Sequence, residues 1–308
     1  MGIWSWALPL ACTVLFYGLA AGVWKEATLT VAQFCILFAL TKTVTNWGAW
    51  AIWGRRNPFD PGARAFMGWA LLGQLVNGIA WIGYFRALES GPAAIVQTVT
   101  AAYTALATVL AVLFLKERLV AIQMAGVSMV VAAGMILGYE SGGGAVTASG
   151  NAWWGDCMIT LVCWGVAVVI FKHAYGKPGA DDYRFFLTNW LAMAVTVLPF
   201  GCVTLGEASW SEGLAKGMVI VLLYCIGDLT LFAAINRGPA SIVSPLSGLY
   251  PIPTIAYVTL VLHVAITNLQ WLAIALVLVA IILVVPASDN PVLRLWNKTP
   301  EEKETCKC

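Results

Sequence analysis

Two ionisable side chains stand where apolar sequence ought to exclude them. Lys42 lies in "FALTKTVTNWGAWAIW" and Asp228 in "VIVLLYCIGDLTLFAAI". An ammonium can hold a carboxylate, and a carboxylate can hold an ammonium or carry a proton. Charges inside long apolar runs are costly, and their first reading is functional. The competing reading is that buried polar neighbours satisfy each of them. Asn189 occupies the place of Lys42 in the second half of the chain, so only one half carries this charge.

Polar and aromatic residues recur near these charges at helical spacing. One stretch presents Gln74, Asn77, Gly78 and Trp81, another Gln97, Ala101, Thr104 and Thr108. Further on come Thr160, Trp164 and Ala167, then Tyr224, Gly227 and Asp228. Such stripes can line a cavity, or mark close helix contacts where small and polar residues meet. With Tyr17, Ser244 and Tyr250, the rings and amides offer a lining for a small organic solute, whose flat apolar faces also attract organic cations. No H-E-x-x-H or G-x-S-x-G pattern occurs, so an enzyme is not expected. The P-loop pattern is also absent, which excludes an ATP-driven pump of that kind. No cofactor, metal, nucleic acid or obligate protein partner is expected.

The elements that must hold these residues follow from composition. Of the 308 residues 60% are hydrophobic and 10% charged, with a mean hydropathy of +0.83. Soluble domains carry about 25% charged residues. Uncharged runs such as Ala93–Leu115 and Ser241–Leu262 exceed the roughly 20 residues that cross a bilayer as a helix. An integral membrane protein follows, with the lipid bilayer as its surroundings. Ten spans are expected, at 4–23, 28–53, 63–88, 93–115, 120–138, 151–174, 182–204, 214–236, 240–262 and 267–286. Lys42 then lies roughly 16 Å from the inner end of its helix and Asp228 roughly 12 Å. Six of the eight cysteines fall inside apolar spans, where Cys acts as a small hydrophobe. A sensor or assembly subunit would need a soluble output domain, for which the loops leave no room.

With the N-terminus inside, 13 of the 17 Lys and Arg face the cytoplasm and three face outward, Lys42 being within a span. Basic residues favour the cytoplasmic side, which puts both termini in the cytoplasm of a plasma or inner-membrane protein. The first span lacks the basic leader of a signal peptide.

The chain also repeats itself. "ESGPAAIVQ" (89–97) returns as "NRGPASIVS" (236–244), an offset of 147 residues. The same offset joins Trp6, Thr13, Gly18 and Lys25 to Trp153, Thr160, Gly165 and Lys172, and Tyr103 to Tyr250. Each copy holds five spans, so the second enters the membrane inverted. The expected organisation is an all-α membrane fold of two inverted five-helix repeats around a central cavity. Residues 1–138 and 151–286 form the repeats, 139–150 an external Gly/Ser linker and 287–308 a cytoplasmic tail. Inverted repeats permit alternating access. Gly91-Pro92 and Gly238-Pro239 are read as hinges ending one helix and starting the next. Pro245, Pro251 and Pro253 crowd the ninth span, where interior prolines would break main-chain bonds and make it the more deformable half of a gate.

Tyr17-Gly18 and Trp164-Gly165, with "ALESGPAAIV", "LKERL" and "GVSMVVAAGMIL", resemble the EamA family of the drug/metabolite transporter superfamily over residues 4–286. Within it, the chain looks most like the YddG-type aromatic amino acid exporters. The resemblance implies a ten-helix secondary exporter of small metabolites. Together with the rings and the two charges, it suggests aromatic and other large neutral amino acids as substrates, with cationic drugs or other metabolites as the alternative. "KERL" is replaced by "HVAI" in the second half, so Glu117 is read as an interfacial anchor.

Overall fold

A computed structural model describes residues 4–24, 27, 29–54, 57, 60–91, 96, 99–116, 121–142, 152–206, 210, 213–261, 263 and 267–284, with side chains at most of these positions. Regular structure among the described residues is helical. Helices α1 (Trp4–Trp24), α2 (Val31–Ala49) and α3 (Arg64–Ser90) come first; a π turn at Trp50–Gly54 and a 3-10 turn at Pro61–Ala63 join the last two. They are followed by α4 (Tyr103–Phe114), α5 (Ala121–Gly142), α6 (Ala152–Tyr175), α7 (Asp182–Val195) and α8 (Val197–Thr204). The chain closes with α9 (Leu214–Arg237), α10 (Ala240–Ser247), α11 (Pro251–Leu260) and α12 (Asn268–Val284).

The ends follow local chemistry. Thr30 and Gln33 form a capping box at α2, each satisfying a main-chain N–H that the first turn leaves over. Asp181 accepts from the N–H groups of Tyr183 and Arg184 at α7. Gly91 and Gly238 end α3 and α9 in nearly the same extended conformation, each donating to a carbonyl four residues back at 2.8 Å. Pro239 then caps α10; Pro92 lies outside the described residues.

Five segments are long and apolar enough to cross a membrane: Trp4–Trp24, Pro61–Ser90, Trp153–Tyr175, Asp182–Thr204 and Leu214–Arg237. The second expected span, α2, is 19 residues long but less apolar; the remaining ones are shorter, interrupted, or run into residues that are not described. α5 continues through Gly142 and takes in the first four residues of the expected linker.

The ninth span departs from expectation. It breaks at Gly248–Tyr250 into α10 and α11. Of its three prolines, Pro245 lies past the first turn of a helix. Pro251 and Pro253 stand in the first turn of α11, where a missing N–H costs nothing because no intrahelical acceptor exists there. They start a helix rather than rupture one. The first half, which has no proline here, turns at the matching place. Ala102 N–H reaches Val99 O at 3.2 Å and Ala105 N–H reaches Ala102 O at 3.1 Å, tight three-residue steps of 3-10 type. Ala102 plus the offset of 147 is Leu249.

Packing obeys the same offset. The most extensive interfaces are α3 with α6 and α1 with α9, while α5 and α12 pair with each other. A Cβ at Gly165 would lie 2.9 Å from Leu106 Cγ, and one at Gly18 would lie 2.7 Å from Pro253 Cβ. At both glycines an added Cβ would force the neighbour to shift. Adding 147 to Gly18 and Leu106 produces Gly165 and Pro253, so the two contacts exchange under the repeat.

Candidate functional site

Lys42 of α2 and Asp228 of α9 face one another. Lys42 Nζ is 2.5 Å from Asp228 Oδ2, with the side chains 0% and 3% exposed. The Tyr17 hydroxyl of α1 donates to Asp228 Oδ1. The rings of Phe38 and Phe232 flank the ammonium, their centroids 5.2 and 5.9 Å from it. Burying two charges costs several kcal/mol per ion, which their attraction offsets only with good geometry and further hydrogen bonds; Tyr17 supplies one. The sequence presents these charges as separate candidates; in the structure each is the other's partner.

Beside the pair lies a cavity walled mostly by aromatic rings. Tyr17, Trp81, Tyr84, Tyr224 and Asp228 line it, together with Trp164 of α6, Tyr103 of α4 and Tyr250 from the break before α11. Ala167, Val168 and Phe171 of α6 and Leu231 and Phe232 of α9 form the apolar remainder. Rings meet mostly edge to face: Trp81 and Trp164 at 5.3 Å and 79°, Trp81 and Tyr224 at 5.2 Å and 69°, Tyr17 and Tyr250 at 6.2 Å and 81°. These are favoured geometries for aromatic pairs.

A chain of side-chain amides leads away from the cavity wall. Trp164 Nε1 donates to Asn77 Oδ1 at 3.0 Å, and Asn77 Nδ2 donates to Gln74 Oε1 at 3.0 Å. Gln74 Oε1 also accepts from Asn189 Nδ2 at 2.7 Å, and Asn189 Oδ1 accepts from Asn46 Nδ2 at 2.9 Å. The chain ties α6, α3, α7 and α2 together. The indole N–H of Trp81, Nε2 of Gln74, Oδ1 of Asn46 and the Ser244 hydroxyl are buried with no hydrogen-bond partner among the described residues.

Thus Tyr17, Asn77, Trp81, Trp164, Tyr224, Asp228 and Tyr250 converge on one cavity. Lys42, Gln74 and Asn189 stand behind its wall, joined to it through Asp228 and Asn77. Ser244 is buried in α10 off the cavity, and Gln97 lies outside the described residues. Sequence reasoning missed Tyr84, Tyr103, Val168, Phe171, Leu231 and Phe232 as lining. Tyr84 lies seven residues after Asn77 and Phe171 seven after Trp164, two helical turns along the same faces, so extending each stripe finds them.

Ion pairs gather toward one end of the bundle. Arg184 binds Asp60 at 3.0 Å, Arg237 binds Asp182 at 2.6 Å, and Asn236 donates to Asp182 at 2.9 Å. Lys172 donates to the carbonyls of Ile235 and Gly238 at 3.0 and 2.7 Å, holding α6 to the C-terminal end of α9, where the helix dipole favours a cation. Gly238-Pro239 is therefore tethered at its carbonyl. At the other end of α3, Arg86 lies 3.3 Å from Asp156.

Known proteins resemble this chain along its length. The sequence profile of the EamA-like transporter family matches residues 4–139 and 153–285. A protein of Sinorhizobium sp. described as an uncharacterized transporter in the cobO 3' region is 30% identical over 108 residues, which is 35% of this chain and 70% of that one. A solved crystal structure, described only as that of a protein, superposes with a TM-score of 0.70 at 18% identity, covering 94% of this chain and 98% of the other. That likeness is one of fold.

Proposed function

Because the chain belongs to the EamA-like transporter family and is a multi-pass membrane protein by its helices, we propose that it exports aromatic and other large neutral amino acids by alternating access. The observation that carries this reading is the aromatic-walled cavity with the Lys42–Asp228 pair at its edge. The rings suit an apolar side chain, and the two charges complement the two ends of a zwitterion. The resemblance of the sequence to the YddG-type exporters supports such a cargo.

The architecture proposed is ten helices in two inverted repeats, residues 1–138 and 151–286, with 139–150 outside and both termini in the cytoplasm of the plasma or inner membrane. Exchanged contacts at the constant offset support it: Gly18 on Pro253 and Gly165 on Leu106, α1 on α9 and α3 on α6. The turns at Ala102 and at Gly248–Tyr250 are the proposed hinges of the two halves, with Gly91-Pro92 and Gly238-Pro239 at the adjoining helix ends. Transport draws on an ion gradient or on the solute's own.

One observation favours a second reading. Of the charged pair only Asp228 lines the cavity, among Tyr and Trp rings, an arrangement that also suits organic cations. Counterflow in proteoliposomes with phenylalanine, methionine, glutamate and a cationic dye separates the two. Phenylalanine and methionine are expected to be carried and glutamate refused. Movement of the dye alone would select the second reading and end the first.

A further inference from the structure

The Lys42 ammonium occupies the carboxylate that faces the cavity. It bonds to Asp228 Oδ2 while Tyr17 holds Oδ1, and Lys42 itself lies outside the lining with its side chain 0% exposed. Among the described residues Asp228 is its ion-pair partner. We infer that Lys42 is a tethered competitor for the substrate's ammonium on Asp228, and that the site thereby selects molecules carrying both an ammonium and a carboxylate. This rests on the amino-acid reading and explains how the same cavity would refuse simple amines.

An incoming ammonium that docks on Asp228 must displace Lys42. A displaced lysine left alone in an apolar interior is an uncompensated buried charge, the costly state of any buried pair. A ligand that also brings a carboxylate restores the balance by pairing with Lys42. An amine without a carboxylate strands Lys42, and a carboxylate without an amine strands Asp228. The lysine stem has four rotatable carbons to make the exchange. The Phe38 and Phe232 rings lie within cation–π reach of its head, and Phe232 lines the cavity. The Trp81 indole N–H, buried on the same wall with no hydrogen-bond partner among the described residues, adds a donor for the ligand's carboxylate.

The test is equilibrium binding to purified full-length protein, with phenylalanine, phenethylamine and 3-phenylpropionate as probes. Wild type should bind phenylalanine tighter than either single-charged analogue by about tenfold or more. Lys42→Met should shift preference to phenethylamine, and Asp228→Asn to 3-phenylpropionate, each by about tenfold or more. Variants that keep the wild-type order of ligands overturn the inference. Should a lone charge prevent either single variant from folding, Lys42→Met/Asp228→Asn has no lone charge; in it the three ligands should bind within a few-fold of one another. Wild-type discrimination in that double variant also overturns the inference. Wild type that fails to bind phenylalanine at all removes the amino-acid reading and this inference together, whereas phenylalanine binding without exchange of preference removes only the inference.

Discussion

Thr13 and Thr160 stand 147 residues apart, and each sets its hydroxyl against a main-chain carbonyl of the opposite half: Gly227 at 3.3 Å and Ala80 at 3.2 Å. Those two carbonyls are also 147 residues apart. One bond is thus made twice with the halves exchanged, at the interfaces of α1 with α9 and of α3 with α6.

The shared bond should weigh equally in the two halves; Thr13 also meets the Thr230 hydroxyl at 2.9 Å, a contact with no counterpart at Gly83. Thr13→Val and Thr160→Val are each expected to lower stability by about 0.5–1 kcal/mol, the scale of side-chain hydrogen bonds between membrane helices. Their effects should add, since the sites share no partner. Reversible unfolding in mixed micelles reads all three values. A loss confined to one variant would contradict the equivalence.

At Gly165, α6 packs directly against the Leu106 side chain of α4. Gly165→Ala places a methyl 2.9 Å from Leu106 Cγ and should cost about 1–3 kcal/mol by overpacking. Adding Leu106→Ala should recover part of that loss, although Leu106→Ala alone destabilises. Thermal unfolding of the three variants checks the sign of the coupling.

The Trp164 indole is aimed by its bond to Asn77. Trp164→Phe keeps a ring in the cavity but frees it from that bond. Apparent affinity for phenylalanine should fall roughly 3- to 10-fold, equivalent to about 1 kcal/mol, with a smaller change in maximal rate. The measurement is the concentration dependence of counterflow.

Lys172 pins the turn between α9 and α10. Lys172→Met should lower the melting temperature, with about 1–2 kcal/mol lost for charged hydrogen bonds at a partly exposed site. Lys172→Arg should recover part of it. An unchanged melting temperature in Lys172→Met would show that the tether carries no weight.

The membrane character and the 147-residue repeat are legible in the sequence because hydropathy and identity are properties of the residues themselves. Lys42 and Asp228 stand out for the same reason: a charge contrasts with its apolar surroundings. That they pair with each other is not legible, because it depends on which faces of α2 and α9 meet. Phe171 and Phe232 escaped notice because one more aromatic residue gives little contrast in so apolar a chain. The turn at Ala102 has neither Gly nor Pro to announce it, and only its correspondence with Leu249 marks it. In the ninth span the interruption falls just before Pro251, which then opens the next helix.

The Lys42–Asp228 pair also bears on the membrane potential. An empty carrier whose buried ammonium and carboxylate cancel moves no net charge when it changes face. A zwitterion that trades places with that pairing brings none either. Each elementary charge that crosses 100 mV gains or loses about 2.3 kcal/mol, so an electrically silent cycle is one that the cell's voltage neither drives nor opposes. Where transport runs on the solute's own gradient, phenylalanine flux should accordingly be the same at zero and at 100 mV across liposomes clamped with potassium and valinomycin. Asp228→Asn, which leaves Lys42 charged and alone, should make the flux depend on voltage.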